Sequence, residues 1–335
     1  MEMKPQRTIG RIWPVALALL LAQPAASAHA TFPGTPGQIV YSKYDNRPGP
    51  EYEHEPTGGL FAHGPRRTEE PRQLTSDPND SEPAVSPDGR RIAFAGSREG
   101  DAGFGRQIYL MRADGSGARR VTSRSGFSNG EPQFSPDGRK LVFVRAQPER
   151  GIYHLFLLTI ATGTLRQLTF GKHEDSEPVF TPSGMRILFV SDRASAGGHD
   201  ASDIWAIGSD GRRARVLVNG SGAEVSPDVS PNGRRMVFIV EKQIFRVGSL
   251  RLARANGTHV RPLSEQRGGE CRPCYADPVF APDGRHLAAV ERRESGTTLQ
   301  VMRPDGTHVR QFDAGTVETE GSGGHVEEPA WGAAG

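Results

Sequence analysis

The chain has 335 residues, and its composition and charge exclude several classes of protein. Glycine and proline contribute 41 and 26 residues, so turns must be frequent and long helices few. Residues 1–30 hold three basic residues and one acidic residue, which leaves 38 of each sign (41−3 and 39−1) in the rest of the chain. A chain without net charge lacks the positive excess that binds nucleic acids or anionic membranes. We therefore expect no nucleic-acid partner.

The first 30 residues are typical of an export signal. Three basic residues precede an apolar run over residues 13–22, which is too short to span a bilayer. Small residues at the spacing that signal peptidases cleave follow at 26–30. We predict that residues 1–30 are a signal peptide and that residues 31–335 form one domain. The protein is then expected in the periplasm or secreted, without membrane insertion.

A phrase with the pattern Glu-Pro-x-x-Ser-Pro-Asp-Gly recurs about every fifty residues and organises the whole domain. Its six copies begin at Glu82, Glu131, Glu177, Ser226, Asp277 and Glu328. The Pro-Asp-Gly end of the phrase predicts a tight turn, because proline presets the backbone of the first central position and glycine closes the turn. An apolar strand follows, and then two further strands joined by a second glycine turn. Four strands at this period are typical of a β-propeller blade.

The two ends of the chain complete one another. The C-terminal copy supplies only a first strand, whereas the N-terminal segment begins at a second strand, 38–42, and continues through 59–62 and 72–75. Pairing the ends into one blade removes an exposed sheet edge. We predict an all-β, six-bladed propeller of four-stranded antiparallel blades, in which N- and C-terminal strands share the closing blade.

The repeated phrase, with its apolar strand, its later Asp-Gly turn and its Leu-Thr ending, resembles the repeats of the TolB-type β-propeller family. The resemblance covers residues 38–332 and concerns the propeller only, and we expect no counterpart of the N-terminal α/β domain of TolB. It implies docking of an envelope protein on the propeller. We therefore expect a monomeric binding or scaffold protein rather than an enzyme, with an envelope or secreted protein, a peptide or a glycan as partner.

Five carboxylates recur at the start of the first strands and are the candidate partner-binding residues. They are Glu82, Glu131, Glu177, Asp277 and Glu328, while Ser226 takes the sixth place. A first strand lines the central channel of a propeller, so these acids are predicted to ring the channel mouth, on the face that carries the long loops. Two interpretations stay open. The ring attracts a cation or a basic peptide end, or each acid accepts backbone hydrogen bonds from the adjacent blade.

Two histidines are the basis of an alternative function. His173 and His325 each lie in a loop just before one of these acids. Imidazole and carboxylate ligands suit Zn²⁺ or Mn²⁺, so the mouth would then hold a divalent ion. The alternative is a metal-assisted lyase or hydrolase acting on glycans. The preferred interpretation requires no cofactor.

The two cysteines and one serine motif complete the candidates. Cys271 and Cys274 are the only cysteines, and in an exported protein they predict a disulfide that stiffens a recognition loop. A redox centre would need a helix at the first sulfur, and none is predicted. Ser128 lies in a Gly-x-Ser-x-Gly motif, but it lacks the strand, elbow and helix that a nucleophilic serine requires.

Overall fold

The structure is a computed structural model, and every regular element in its described residues is a β-strand. The described residues are 32–45, 57–64, 70–98, 105–122, 126–147, 151–194, 202–220, 222–241, 248–264, 266–267, 270–271, 273–293, 296–312 and 325–334. The all-β propeller predicted from the sequence is confirmed. No helix in this part of the chain has the length and apolar composition needed to cross a membrane. The predicted signal peptide lies outside the described residues.

The first half of the chain forms successive antiparallel meanders. The N-terminal strands are β1 (Pro36–Asp45), β2 (Thr57–His63) and β3 (Arg72–Gln73). Sheet A contains β4 (Ser81–Val85), β5 (Arg91–Gly96), β6 (Gln107–Arg112) and β7 (Arg119–Arg120). Sheet B contains β8 (Ser128–Phe134), β9 (Lys140–Gln147), β10 (Ile152–Thr159) and β11 (Thr164–Gln167). Sheet C contains β12 (Asp175–Phe180), β13 (Arg186–Ser191), β14 (Asp203–Gly208) and β15 (Arg215–Val218).

The second half forms one eight-stranded sheet made of two units. Unit D contains β16 (Ala223–Val229), β17 (Arg235–Glu241), β18 (Gly248–Arg254) and β19 (Arg261–Pro262). A two-stranded hairpin follows, β20 (Gln266–Arg267) with β21 (Glu270–Cys271). Unit E contains β22 (Cys274–Phe280), β23 (Leu287–Arg293), β24 (Gly296–Met302) and β25 (Arg310–Phe312). The last strand, β26 (His325–Ala333), pairs with β1, so the closing sheet runs β26, β1, β2, β3 as predicted.

The number of separate blades differs from the prediction. Four sheets are separate four-stranded blades, rather than six. The difference arises because β18 also pairs with β22, through Gly248 and Tyr275, and this one pair joins units D and E. Gly248 begins its strand without a side chain, and a Cβ atom there would lie 2.3 Å from the carbonyl oxygen of Val240. The repeat phrase contains no signal for such a junction.

The core lies in and between the blades, with the strand after each Pro-Asp-Gly turn at its centre. One phenylalanine of each such strand is completely buried in four successive units: Phe94, Phe143, Phe189 and Phe238. The first strands contact one another in a closed circle, in the order β4, β8, β12, β16, β22, β26 and back to β4. The residues that begin these six strands therefore converge around one centre.

Candidate functional site at the channel mouth

Each first strand carries a β-bulge at the step from the acid to its proline. In sheet A, for example, the pairing register with the second strand shifts between Ser81 and Ala84, which brackets Glu82. The residue before the proline has a positive φ, between 48° and 57°, in all six copies, including Ser226. A left-handed backbone at a residue other than glycine costs about 1–3 kcal/mol and persists only where the surroundings compensate. The bulge also turns the N–H of this residue out of its own ladder.

A chain of hydrogen bonds, donated by backbone N–H groups to carboxylates, offsets the energetic cost of this backbone conformation. Each acid accepts the N–H of the equivalent residue in the next blade. The links, from donor to acceptor, are Glu82 to Glu328, Glu131 to Glu82 at 2.7 Å, Glu177 to Glu131, Ser226 to Glu177, and Glu328 to Asp277 at 3.4 Å. No such link joins Asp277 to Ser226 among the described residues, since serine has no carboxylate. The circle is therefore broken once.

The acids are buried as well as bonded. The five carboxylate residues are between 1% and 6% exposed, so they form the inner wall of the mouth rather than its surface. Their geometry agrees with the structural interpretation, in which the acid of the repeat ties one blade to the next. Their role in partner binding stays a prediction.

A polar cluster surrounds the link between the closing sheet and sheet A. Arg106 donates to Glu82 at 2.8 Å and also bonds Ser81. Ser42 donates its hydroxyl to Glu328 at 2.8 Å. Burial raises the pKa of Glu328, and the negative charge of Glu82 adds to this effect, while Arg106 opposes it. Arg106 therefore balances two carboxylates at this link.

The broken link has a different electrostatic environment. The pKa of Asp277 is raised to about 7, chiefly by burial, with the charges of Glu327 and Glu241 acting in the same direction and Arg292 opposing them. Arg292 lies 3.6 Å from Glu327, and both of these side chains are partly exposed. The charges of two glutamates and one arginine thus act on Asp277 at the break.

This cluster predicts a pH-dependent stability. Because the folded state holds the Asp277 proton up to a pKa of about 7, against 3.8 ordinarily, raising the pH removes a proton that the unfolded chain has already lost. The contribution of Asp277 to the free energy of unfolding should therefore fall by roughly 2–3 kcal/mol between pH 5 and pH 8. Urea unfolding across this range should show a smaller decrease for Asp277→Asn. A decrease equal to that of the wild type would contradict the assignment, and Asp283→Asn is the control.

A second layer of buried polar residues lies two positions before the acids, and sequence reasoning missed it. Arg98 contacts Asp80, and Arg145 donates from Nε to Asn129 at 2.7 Å. Each arginine also stacks on aromatic rings, Arg98 for example 5.0 Å from the centre of Tyr109. Sheet C contains the equivalent pair, Asp175 and Arg193. The available signal is an arginine 16 to 18 residues after the polar residue, near the end of the second strand.

The structure describes the side chains of one candidate histidine, His173, and of one cysteine, Cys274. Nδ1 of His173 lies 3.3 Å from Oδ1 of Asp192, while the side chain of His325 lies outside the described residues. The described residues contain no group of three or more His, Cys, Asp or Glu side chains that could hold a metal ion. The metal site and the lyase or hydrolase alternative stay predictions. Cys274 is disulfide-bonded, but the side chain of Cys271 is outside the described part, so their pairing also stays a prediction.

The sequence of this chain matches a known protein family. The TolB beta propeller domain matches residues 123–334. The chain belongs to this family. No curated protein gives a significant match. The TolB-type resemblance seen in the repeats is thus confirmed.

Solved structures share the fold of this TolB-type propeller. TolB from Acinetobacter baumannii has a TM-score of 0.66 and 21% identity over 88% of this chain and 66% of its own. The hydrazine synthase of Kuenenia stuttgartiensis has a TM-score of 0.69 and 18% identity over 89% of this chain and 47% of its own. An oligogalacturonate lyase in complex with manganese has a TM-score of 0.51 and 14% identity over 84% of this chain and 74% of its own. This chain therefore spans less than two thirds of the first two, and these likenesses concern the fold.

Proposed function

We propose that this TolB-type propeller is an exported binding or scaffold protein, periplasmic or secreted. It holds a protein, a peptide or a glycan on the loop face, by which we mean the face where the first strands begin and where the channel mouth lies. Membership of the family and the rigid mouth support this proposal. Rigid scaffolds carry recognition on the loops that they display, and the inter-blade hydrogen bonds supply that rigidity.

The proposal includes a working ring of six blades. Units D and E each contain a complete four-stranded meander, and their first strands, β16 and β22, occupy consecutive places in the circle of first strands. The single pair that joins the units, Gly248 with Tyr275, is small beside the seven-residue ladder between β17 and β18. We infer that the eight-stranded sheet acts as two blades.

The acidic group at the broken link is the observation that carries the proposal. The charges of Glu327 and Glu241 act on Asp277 there, and Arg292 lies 3.6 Å from Glu327. Glu327 is accessible, since its side chain is 34% exposed. A lysine, an arginine or an N-terminal amine of a partner would offset this charge and so favour docking at this point of the mouth. A protein or peptide with a basic group is the partner that this chemistry fits best.

The test is capture of envelope proteins by the purified mature protein, with charge reversal at the mouth. Glu327→Lys should reduce the captured amount by about tenfold, because reversing a charge at an interface adds repulsion to the lost attraction. Asp283→Asn, on the opposite side of the molecule, should leave it unchanged. Cross-links from captured partners should map to the loop face. Capture that is equal for wild type and Glu327→Lys, or that maps to the opposite side, would refute the proposal.

A further inference from the structure

Unit D contains a basic cavity on the turn face, which is the side opposite the loop face, where the Pro-Asp-Gly turns and the later Gly turns lie. The cavity has a volume of about 450 Å³. Its charged lining is Arg234, Arg235, Arg254 and Arg261, with His259 and Asn232 beside them. Leu252 and Ala253, both buried, also line it. A volume of this size is typical of a site for a small molecule.

The turns of this unit lack the acids that the other units carry. The first turn has Asn232 where other units have Asp88, Asp137, Ser183 or Asp283. The later turn has Asn256 where other units have Asp114, Thr162, Asp210 or Asp305. Of the five units that contain both turns, only unit D has no aspartate in either. The amides therefore remove two negative charges beside the arginines.

Turn geometry does not explain these amides. Oδ1 of Asn232 accepts hydrogen bonds from the N–H of Arg234 at 3.0 Å and from the hydroxyl of Ser230 at 2.9 Å. In sheet B, Oδ1 of Asp137 accepts the same two bonds from the equivalent residues. Since aspartate and asparagine cap this turn alike, the difference that remains is charge.

One of the four arginines of the cavity, Arg235, donates to the carbonyl of Gly284 at 3.2 Å, and the other three are without partners in the described part of the chain. Within the described part of the chain, the guanidinium groups of Arg234, Arg254 and Arg261 form no hydrogen bond or ion pair, and all three residues are exposed. At the position equivalent to Arg261, Arg72 and Arg166 donate to turn carbonyls of the next blade, at 2.7 Å and 2.6 Å, whereas Arg119, Arg215 and Arg310 form no such bond within the described residues. The guanidinium group of Arg261 is therefore not engaged in the structural bond that two other units use.

We propose that this cavity binds an organic ester of a tetrahedral oxyanion, phosphate or sulfate. Arg234 follows a turn, Arg254 ends a third strand and Arg261 lies on a fourth strand, so the arginines that line the cavity come from three different elements. A tetrahedral oxyanion presents acceptor oxygens in several directions, whereas a planar carboxylate presents them in one plane. The volume of the cavity leaves room for the organic part of the ester.

Three ligands with the same sugar ring test which oxyanion the cavity prefers. Calorimetric titration of the purified protein with glucose 6-phosphate, glucose 6-sulfate and glucuronate, at constant ionic strength, compares phosphate, sulfate and carboxylate. We expect the phosphate to bind at least about tenfold more tightly than glucuronate, because it can engage more guanidinium groups at once. Equal binding of sulfate and phosphate would assign the preference to shape, and weaker binding of sulfate would assign it to the second negative charge. Glucuronate binding as tight as phosphate, or no saturable binding at all, would overturn the proposal.

Restoring the missing acid locates the site. Asn232→Asp keeps both hydrogen bonds of the turn and adds one negative charge beside the arginines, so phosphate affinity should fall about tenfold. Asp137→Asn makes the reverse change in sheet B and should leave the affinity unchanged. Circular dichroism would confirm that both variants fold. Unchanged affinity in Asn232→Asp, or an equal loss in Asp137→Asn, would show that the anion binds elsewhere and overturn the assignment.

Discussion

Replacing Glu82 by alanine is expected to lower the midpoint of thermal unfolding by about 6–10 °C, from a loss of about 3 kcal/mol in the free energy of unfolding. The carboxylate of Glu82 has two partners, the N–H of Glu131 at 2.7 Å and the guanidinium of Arg106 at 2.8 Å. Alanine leaves a buried N–H without an acceptor and Arg106 without its nearest counterion. The expected loss of stability is at the low end of the range for buried ion pairs, because the Arg106 side chain is 21% exposed.

Two variants separate the linking role of Glu82 from a general effect of the substitution. Glu82→Gln keeps an acceptor for the N–H of Glu131 and should lose less than half as much stability as Glu82→Ala. Asp88 lies in a turn between two strands of sheet A, and unit D has an amide, Asn232, at the equivalent position. The substitution Asp88→Asn should therefore leave the unfolding midpoint nearly unchanged. Differential scanning calorimetry measures all three. A midpoint for Glu82→Ala within about 1 °C of the wild type would show that the circle of acids contributes little to stability.

The sequence predicts much of this architecture because the information is repeated. Six copies of one phrase predict first strands that meet around a centre, and the complementary ends predict that β26 joins β1. The repeat also places the acids on those strands. It does not reveal that the residue before each proline adopts a left-handed backbone, because a residue in that position is ordinarily extended. Without knowledge of the bulge, the hydrogen bonds from each backbone N–H to the carboxylate of the neighbouring blade could not be deduced from the sequence.

Residues outside the phrase were harder to predict. Arg106 and Arg98 act through partners that are close in space, and their positions vary from one copy to the next. The junction at Gly248 depends on the path of two neighbouring strands rather than on a local pattern. The basic cavity was missed for another reason. Asn232 still matches the turn signal, and its meaning emerges only when its neighbours across the unit are known to be arginines.

Replacing Arg193 by alanine is expected to cost about 4 kcal/mol and to lower the unfolding midpoint by roughly 8–15 °C. Nη2 of Arg193 lies 2.6 Å from both carboxylate oxygens of Asp175, which is fully buried. The guanidinium also lies 5.4 Å and 5.5 Å from the ring centres of Phe189 and Trp205. Alanine removes these contacts and leaves a buried carboxylate whose charge has lost its main partner, which is the costly part of the change.

The neighbouring blade supplies the control for this charge. Sheet B has Asn129 at the position of Asp175, and Arg145 donates to it, so Asp175→Asn should cost only about 1 kcal/mol. If an uncompensated charge causes most of the loss in Arg193→Ala, the double variant Arg193→Ala with Asp175→Asn should be more stable than Arg193→Ala alone by about 1.5 kcal/mol or more. A double variant no more stable than the single one would assign the loss to the stacking on Phe189 and Trp205. The arginines behind the mouth would then act chiefly as packing residues rather than as counterions.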